Sequence, residues 1–163
     1  MFQREFALRL TASPKSNLWG RLAANVQLYA RVEHIMKVGK GNFRPPPQVE
    51  SSVVRISPRN PPPPVRFEEF DGMNRILFSR ANKTVKGNFG ARGVKEMLEK
   101  NYKTWCAETG VVSNRGLQSR TALTLMQIIP DDFDIKIKIE SIIVEAGFAD
   151  CRAAKMDVDD LLK

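Results

Sequence analysis

Cysteine and histidine are nearly absent from this chain, and so is any long apolar run. The two cysteines, Cys106 and Cys151, stand far apart with no histidine or second cysteine at metal-ligand spacing. That excludes a recognisable zinc site and a disulfide framework, and points to a reducing compartment. The single histidine, His34, lies in an apolar-leaning run without a serine and aspartate arranged around it, so a strand-face or core role outweighs catalysis. No stretch approaches the roughly 20 consecutive apolar residues that span a bilayer. The first residues mix acidic and basic side chains, unlike a signal sequence. A usable phosphate loop is missing too, because Gly87, Gly90 and Gly93 have no apolar strand before them to present a nucleotide.

Negative charge is scarce in one part of the chain only. The 163 residues carry 26 Lys and Arg against 18 Asp and Glu, a net charge of +8. Residues 1–100 hold 18 of the basic and 8 of the acidic side chains, whereas residues 101–163 hold 8 and 10. A basic part followed by a mildly acidic one predicts a polyanion-binding face, with nucleic acid as the leading partner over uniform surface charge.

The opening residues 1–6 run without a cap or turn into Ala7-Leu8-Arg9-Leu10, as the end of a buried strand feeding a short helix does. Beyond the loop at Pro14, Ser16 and Asn17, the spacing of Leu18, Leu22, Val26, Tyr29 and Ala30 predicts a helix over about 17–30. Residues 31–38 read as a strand ending at Gly39-Lys40-Gly41-Asn42, and the β-branched run over 49–56 reads as another. Pro58 and Pro61 to Pro64 predict a stiff linker and a domain boundary. Helices follow over Phe67 to Phe78 and Val94 to Trp105, separated by the basic stretch Arg80 to Arg92. Residues 109–130 read as a variable insertion. Ile135, Ile139, Ile142, Ile143 and Ala146 make a last apolar face that stops at Gly147, with a strand over 135–139 as the alternative. The acidic residues 157–160 suit a helix N-terminus better than a metal site.

The chemistry-bearing segment is Phe43-Arg44-Pro45-Pro46-Pro47. Prolines hold the neighbouring ring in place at low entropic cost, and an aromatic ring so held is a platform for stacking a base. The competing reading is a Phe packed under its own loop.

Several stretches together resemble the rRNA adenine N6-dimethyltransferase family, which also has the erythromycin-resistance rRNA methylases among its relatives. They are Gln3-Arg4-Glu5-Phe6-Ala7 with Arg9-Leu10, Trp19-Gly20-Arg21-Leu22, the long run from Asn42 to Arg55, and Phe78-Ser79-Arg80-Ala81-Asn82-Lys83-Thr84. Gly147-Phe148, Arg152-Ala153 and Met156-Asp157 continue the match in the manner of the eukaryotic branch.

The resemblance implies an α/β fold: the C-terminal portion of a Rossmann-like methyltransferase sheet over residues 1–57, a proline-rich linker over 58–66, and a helical rRNA-docking domain over 67–163. It implies methylation of two adjacent adenines near the 3′ end of small-subunit rRNA during ribosome biogenesis, with S-adenosylmethionine as donor. The donor-binding and catalytic motifs are expected upstream of Met1, which would leave this chain inactive by itself. Phe43, Pro45 and Pro46 take the target-base pocket, and Arg44, Arg80, Lys83, Lys86 and Arg92 the RNA contacts. Neutral Ala81 and Asn82 stand where relatives are more basic, and Trp19 replaces a usual Tyr in a packing role. A monomer on pre-ribosomal particles of the nucleolus, nucleus or cytoplasm is expected, with no membrane or metal partner. The alternatives are a non-catalytic rRNA-binding assembly module and a protein adaptor built on Pro61 to Pro64.

Overall fold

Phe2 and Gln3 form a two-residue strand, β1 (Phe2–Gln3), and the chain passes with no loop into α1 (Arg4–Leu10). The computed structural model describes residues 1–109 and 133–162. Within α1, Arg9 pairs with Glu5 one turn earlier on the exposed side while Ala7 and Leu10 are buried. The Thr11 hydroxyl donates to the Ala7 carbonyl at 3.1 Å and closes the helix. Next come α2 (Arg21–Tyr29), β2 (Ala30–Val38), a 3-10 turn over Lys40–Asn42, and β3 (Ser51–Pro58).

The sheet order is β1-β3-β2, and both outer strands run antiparallel to β3. They are therefore parallel to each other, and α1 with α2 forms the crossover that a parallel pair requires. Ser52, fully buried, sits mid-sheet with Phe2 opposite on one side and Lys37 on the other. The register shifts between His34 and Met36, leaving Ile35 as the extra residue of a bulge. His34 lies on β2 with an exposed side chain, so of its two expected placements the strand face is the one found.

The buried face of α2 differs from the one its spacing suggests. Leu18 precedes the helix and is 42% exposed, Leu22, Val26 and Tyr29 are half-buried, and Ala30, the first residue of β2, is buried as expected; within the helix the sealed positions are Ala23, Ala24 and Leu28. The cause is close packing: α2 meets α1, β2 and α3, and alanine leaves room for their backbones to approach.

After the proline segment come α3 (Phe67–Ser79), α4 (Val85–Phe89), α5 (Arg92–Thr109), α6 (Ile135–Glu145), a 3-10 turn over Ala153–Lys155, and α7 (Val158–Leu162). Two compact units emerge, Met1–Val85 with Asp150–Lys163, and Lys86–Ala149. The division thus falls elsewhere than the proline-rich stretch 58–66. That stretch is pinned instead: the Tyr29 hydroxyl donates to the Val65 carbonyl at 2.9 Å, and Arg59 Nε donates to the Gln27 carbonyl at 3.2 Å. Asn25 Nδ2 donates to Asp71 at 2.5 Å and Asn74 Nδ2 donates to Asn25 Oδ1 at 2.8 Å, so α3 is bonded to α2 and belongs with the sheet. Trp19 packs as expected, edge-on to Phe78 with ring centroids 6.4 Å apart.

In the second unit Tyr102 of α5 stacks on Phe133 at 5.1 Å, and the Lys138 ammonium of α6 lies 4.9 Å from the Tyr102 ring centre. Residues 135–139 are helical, with Asp134 capping the Lys136 amide at 2.7 Å. Ile135 and Ile143 are buried, whereas Ile142 and Ala146 of the expected face are exposed. Gly147 takes φ +76°, a left-handed position that suits glycine, and ends the helix. The insertion expected near 109–130 lies outside the described residues apart from Thr109, the end of α5.

Leu77 of α3 is 2% exposed, and Leu77→Ala is expected to lower stability by about 2–5 kcal/mol in urea titration. Ile137→Ser, at a position 68% exposed, is expected to stay within about 0.5 kcal/mol.

Candidate RNA-facing site

The turn between β2 and β3 is built from short-range bonds. The Asn42 amide donates to the Gly39 carbonyl and the Phe43 amide to the Lys40 carbonyl, each at 3.2 Å. Phe43 then leaves the 3-10 turn with extended backbone and a half-buried ring. Arg44, Pro45 and Pro46 follow on the exposed side, with a cis bond between Arg44 and Pro45. Lys40 Nζ reaches across the turn to donate to the Gln48 carbonyl at 2.5 Å.

Glu50 fastens this turn to the sheet. Its carboxylate receives Arg4 Nη1 at 3.0 Å and Lys37 Nζ at 2.8 Å, and its own carbonyl accepts the Arg4 amide at 2.9 Å. One side chain thus joins the start of α1, the end of β2 and the entry to β3. The hydrogen bond from Lys37 is the main reason the Glu50 carboxyl is held below the usual glutamate range; burial opposes it, and the charge of Lys37 and the bond and charge of Arg4 add to it. An open groove of about 590 Å³ runs beside these residues, lined by Gln3, Arg4, Glu5, Leu8, Leu18, Lys40, Gln48, Val49 and Glu50. Phe43 is not among the residues that line it.

The basic residues singled out from the sequence fall into different places. Arg44 is exposed next to Phe43, and no described carboxylate pairs with it. Arg80 follows the last residue of α3, and Lys83 stands on the same turn, its amide donating to the Arg80 carbonyl at 2.8 Å. Lys86 and Arg92 belong to the other compact unit, where each has a carboxylate: Glu140 at 3.6 Å for Lys86 and Glu96 at 3.0 Å for Arg92. Sequence spacing revealed neither the Glu50 hub nor the basic residues Lys15, Arg152 and Lys155, because their partners are distant in the chain.

The model for the family described as ribosomal RNA adenine dimethylase matches residues 1–129. The chain belongs to the ribosomal RNA adenine dimethylase family. A dimethyladenosine transferase of Schizosaccharomyces pombe is 49% identical over 162 residues, covering 99% of this chain and 48% of the relative. A protein of Drosophila melanogaster described as a probable dimethyladenosine transferase is 51% identical over 163 residues, again 48% of its length. The crystal structure of a dimethyladenosine transferase from Plasmodium falciparum superposes with a TM-score of 0.82 at 30% identity, covering 99% of this chain and 52% of that one. This dimethylase-family chain therefore shares their α/β fold and spans about half the length of the curated relatives it matches. The matches carry the family and the fold; they do not support the expectation that the chain is the C-terminal part of a member.

The dimethylase family uses S-adenosylmethionine, and the described residues do not fit that donor. β1 enters α1 with no glycine turn between them, and β2 ends in a 3-10 turn rather than a helix. Glu50, a carboxylate beside the groove, is engaged by Arg4 and Lys37 instead of being open to a ribose. Among the described residues there is no cluster of three metal-ligating side chains, and no helix is long and apolar enough to cross a membrane. The acidic residues at 157–160 serve α7, with Asp157 capping the Asp160 amide at 2.8 Å.

A lowered folded-state pKa makes Glu50 stabilising when ionised. Its contribution is full above the ordinary glutamate value of about 4.3 and disappears as pH falls through the folded value. Urea midpoints of the parent and Glu50→Gln are expected to differ at neutral pH and to converge below that range. A gap that persists unchanged into strong acid would show that Glu50 acts through packing rather than charge.

Proposed function

We propose that this chain is the substrate-handling part of an rRNA adenine N6,N6-dimethyltransferase of the small ribosomal subunit, acting on two adjacent adenines near the 3′ end of the rRNA. The observation that carries the reading is the turn itself: an aromatic ring between a 3-10 turn and three prolines, with an exposed Arg44 beside it, in a chain of the dimethylase family. The work such a turn does follows from the chemistry of adenine. The N6 lone pair is delocalised into the ring, and in a helix the amine is stacked and paired, so the base must leave its stack before it can react. Unstacking costs a few kcal/mol. Stacking the extruded base on Phe43 returns about 1–3 kcal/mol, and the prolines spare the ring the entropy of being ordered on binding. Arg44 is positioned to neutralise the phosphate next to an extruded nucleotide.

The transfer of the methyl group belongs to the intact enzyme, whose donor site is not supplied by the described residues. Arg80 and Lys83 are assigned to rRNA phosphates, and so are Lys86 and Arg92 once released from Glu140 and Glu96. The reading places the enzyme as a monomer on small-subunit precursors in the nucleolus or nucleus and on late cytoplasmic particles. A non-catalytic assembly module of the same parts would bind the rRNA but would not need Phe43.

In the intact enzyme, Phe43→Ala is expected to reduce the rate of adenine methylation by about 5- to 150-fold, the equivalent of one lost stacking contact. Association with small-subunit rRNA, measured in parallel, should change far less. Equal losses in both, or no loss in either, would remove Phe43 from the base-holding role.

A further inference from the structure

We infer that Lys40 is a positioning residue for the methylation reaction: by clasping the proline arm of the β2-β3 turn, it sets where the Phe43 ring meets an extruded base. The role of the ring rests on the dimethyltransferase reading; the clasp rests on the bonds of the turn. Residues 39–50 connect β2 to β3 in two arms of different kinds. The first arm bonds to itself. The Asn42 amide donates to the Gly39 carbonyl and the Phe43 amide to the Lys40 carbonyl, each at 3.2 Å, and Asn42 Nδ2 adds a bond to the Gly39 carbonyl at 3.3 Å. The second arm, residues 44–49, has no such frame. Pro45, Pro46 and Pro47 lack an amide to donate, and among the described residues the amides of Arg44, Gln48 and Val49 find no acceptor.

One bond joins the two arms. Lys40 Nζ donates to the Gln48 carbonyl at 2.5 Å, and among the described residues no other hydrogen bond or ion pair links residues 39–43 to residues 44–49. Glu50 fixes the foot of the turn through Arg4 and Lys37 but reaches nothing above it. Prolines restrict φ and leave ψ free, so the direction of the second arm is set where its ends are held. The Lys40 bond moves the upper hold from the strand ends to Gln48, and the loop left to itself shrinks to residues 41–47. Lys40 therefore flanks Phe43 twice, with its carbonyl on the amide of the residue that bears the ring and its ammonium on the arm that follows.

The consequence for chemistry follows from how steeply a transfer reaction depends on geometry. A misplacement of about 1 Å can cost on the order of 100-fold in rate, and a base stacked on a displaced ring carries its amine away from the donor. The competing role for Lys40 is a direct phosphate contact, since the residue is exposed and its ammonium has three donors. The geometry favours the clasp. The ammonium is turned across its own turn onto a main-chain oxygen in a charge-assisted bond, the kind that holds its partner most firmly. A residue that acts through the ring alters the rate and not the grip on RNA, whereas a phosphate contact alters the grip and its salt dependence.

The test uses the intact enzyme, S-adenosylmethionine and a small-subunit rRNA hairpin that carries the two adenines. The methylation rate at saturating RNA, KM for the RNA and the salt slope of RNA binding are measured for the parent, Lys40→Met, Lys40→Arg, Phe43→Ala and the double variant Lys40→Met with Phe43→Ala. Lys40→Met is expected to lower the rate at saturating RNA by about 3- to 10-fold, the equivalent of one lost hydrogen bond. KM should stay within about twofold of the parent, and the salt slope should not change. Lys40→Arg, whose guanidinium can donate to the same carbonyl, is expected to recover most of the rate. In the Phe43→Ala background Lys40→Met should cost nothing further, because no ring is left to position. Additive losses in the double variant would overturn the inference. So would a raised KM with a slope lowered by about 0.7 to 0.9, the mark of one phosphate contact, an unaltered rate in Lys40→Met, or Lys40→Arg as slow as Lys40→Met. Failure of the underlying reading is told apart by Phe43→Ala. If that variant methylates like the parent, the base-holding role falls and takes the clasp's function with it; if it is slow while Lys40→Met is not, the inference alone falls.

Discussion

The carboxylate of Glu50 is the point on which the candidate site hangs. Arg4 from the first turn of α1 and Lys37 from the last residues of β2 both close on it, at 3.0 and 2.8 Å. The backbone of Glu50 bonds the same Arg4. Without that convergence, the turn carrying Phe43 would be a proline-stiffened loop attached at two strand ends and free to swing between them. With it, the backbone that carries the ring is tied to the frame of the sheet. Preorganisation of this kind matters because a base-extruding protein already pays to break a stack, and ordering a loop at the same moment would add to that cost.

A second network does for α3 what Glu50 does for the turn. Asn25, Asp71 and Asn74 bond α2 to α3, Arg21 of α2 lies 3.8 Å from Asp71, and Arg75 reaches Asp71 at 3.1 Å from the solvent side. The consequence is that α3, the turn bearing Arg80 and Lys83, and the closing segment with α7 all ride on the sheet unit. On the proposed reading, RNA contacts from that turn and base contacts from the Phe43 turn would share this one unit, as bringing a particular nucleotide to a fixed place requires.

How much of this was legible in the sequence depends on the range over which each feature is made. Gly147 as a helix stop, the proline turn after Phe43 and the acidic start of α7 are local, and each is recoverable from a few neighbouring residues. Family membership was legible from motifs in order along most of the chain. The buried face of α2 was not, because Ala23 and Ala24 are sealed by the close approach of other elements and not by their own hydrophobicity. The proline stretch at 58–66 reads as a linker from composition alone, yet bonds from Tyr29 and Arg59 pin it to α2. Nothing local in the sequence marks the partners of Glu50, Lys15, Arg152 and Lys155, since only tertiary contacts bring them near.

The central claim is that the chain serves adenine dimethylation in rRNA rather than rRNA binding alone. Nucleoside mass spectrometry tests it most directly, on small subunits lacking the modification, after incubation with the intact enzyme and S-adenosylmethionine. The account predicts dimethyladenosine in the 3′-terminal part of the rRNA. Stable association with those subunits and no methylated adenine would contradict it.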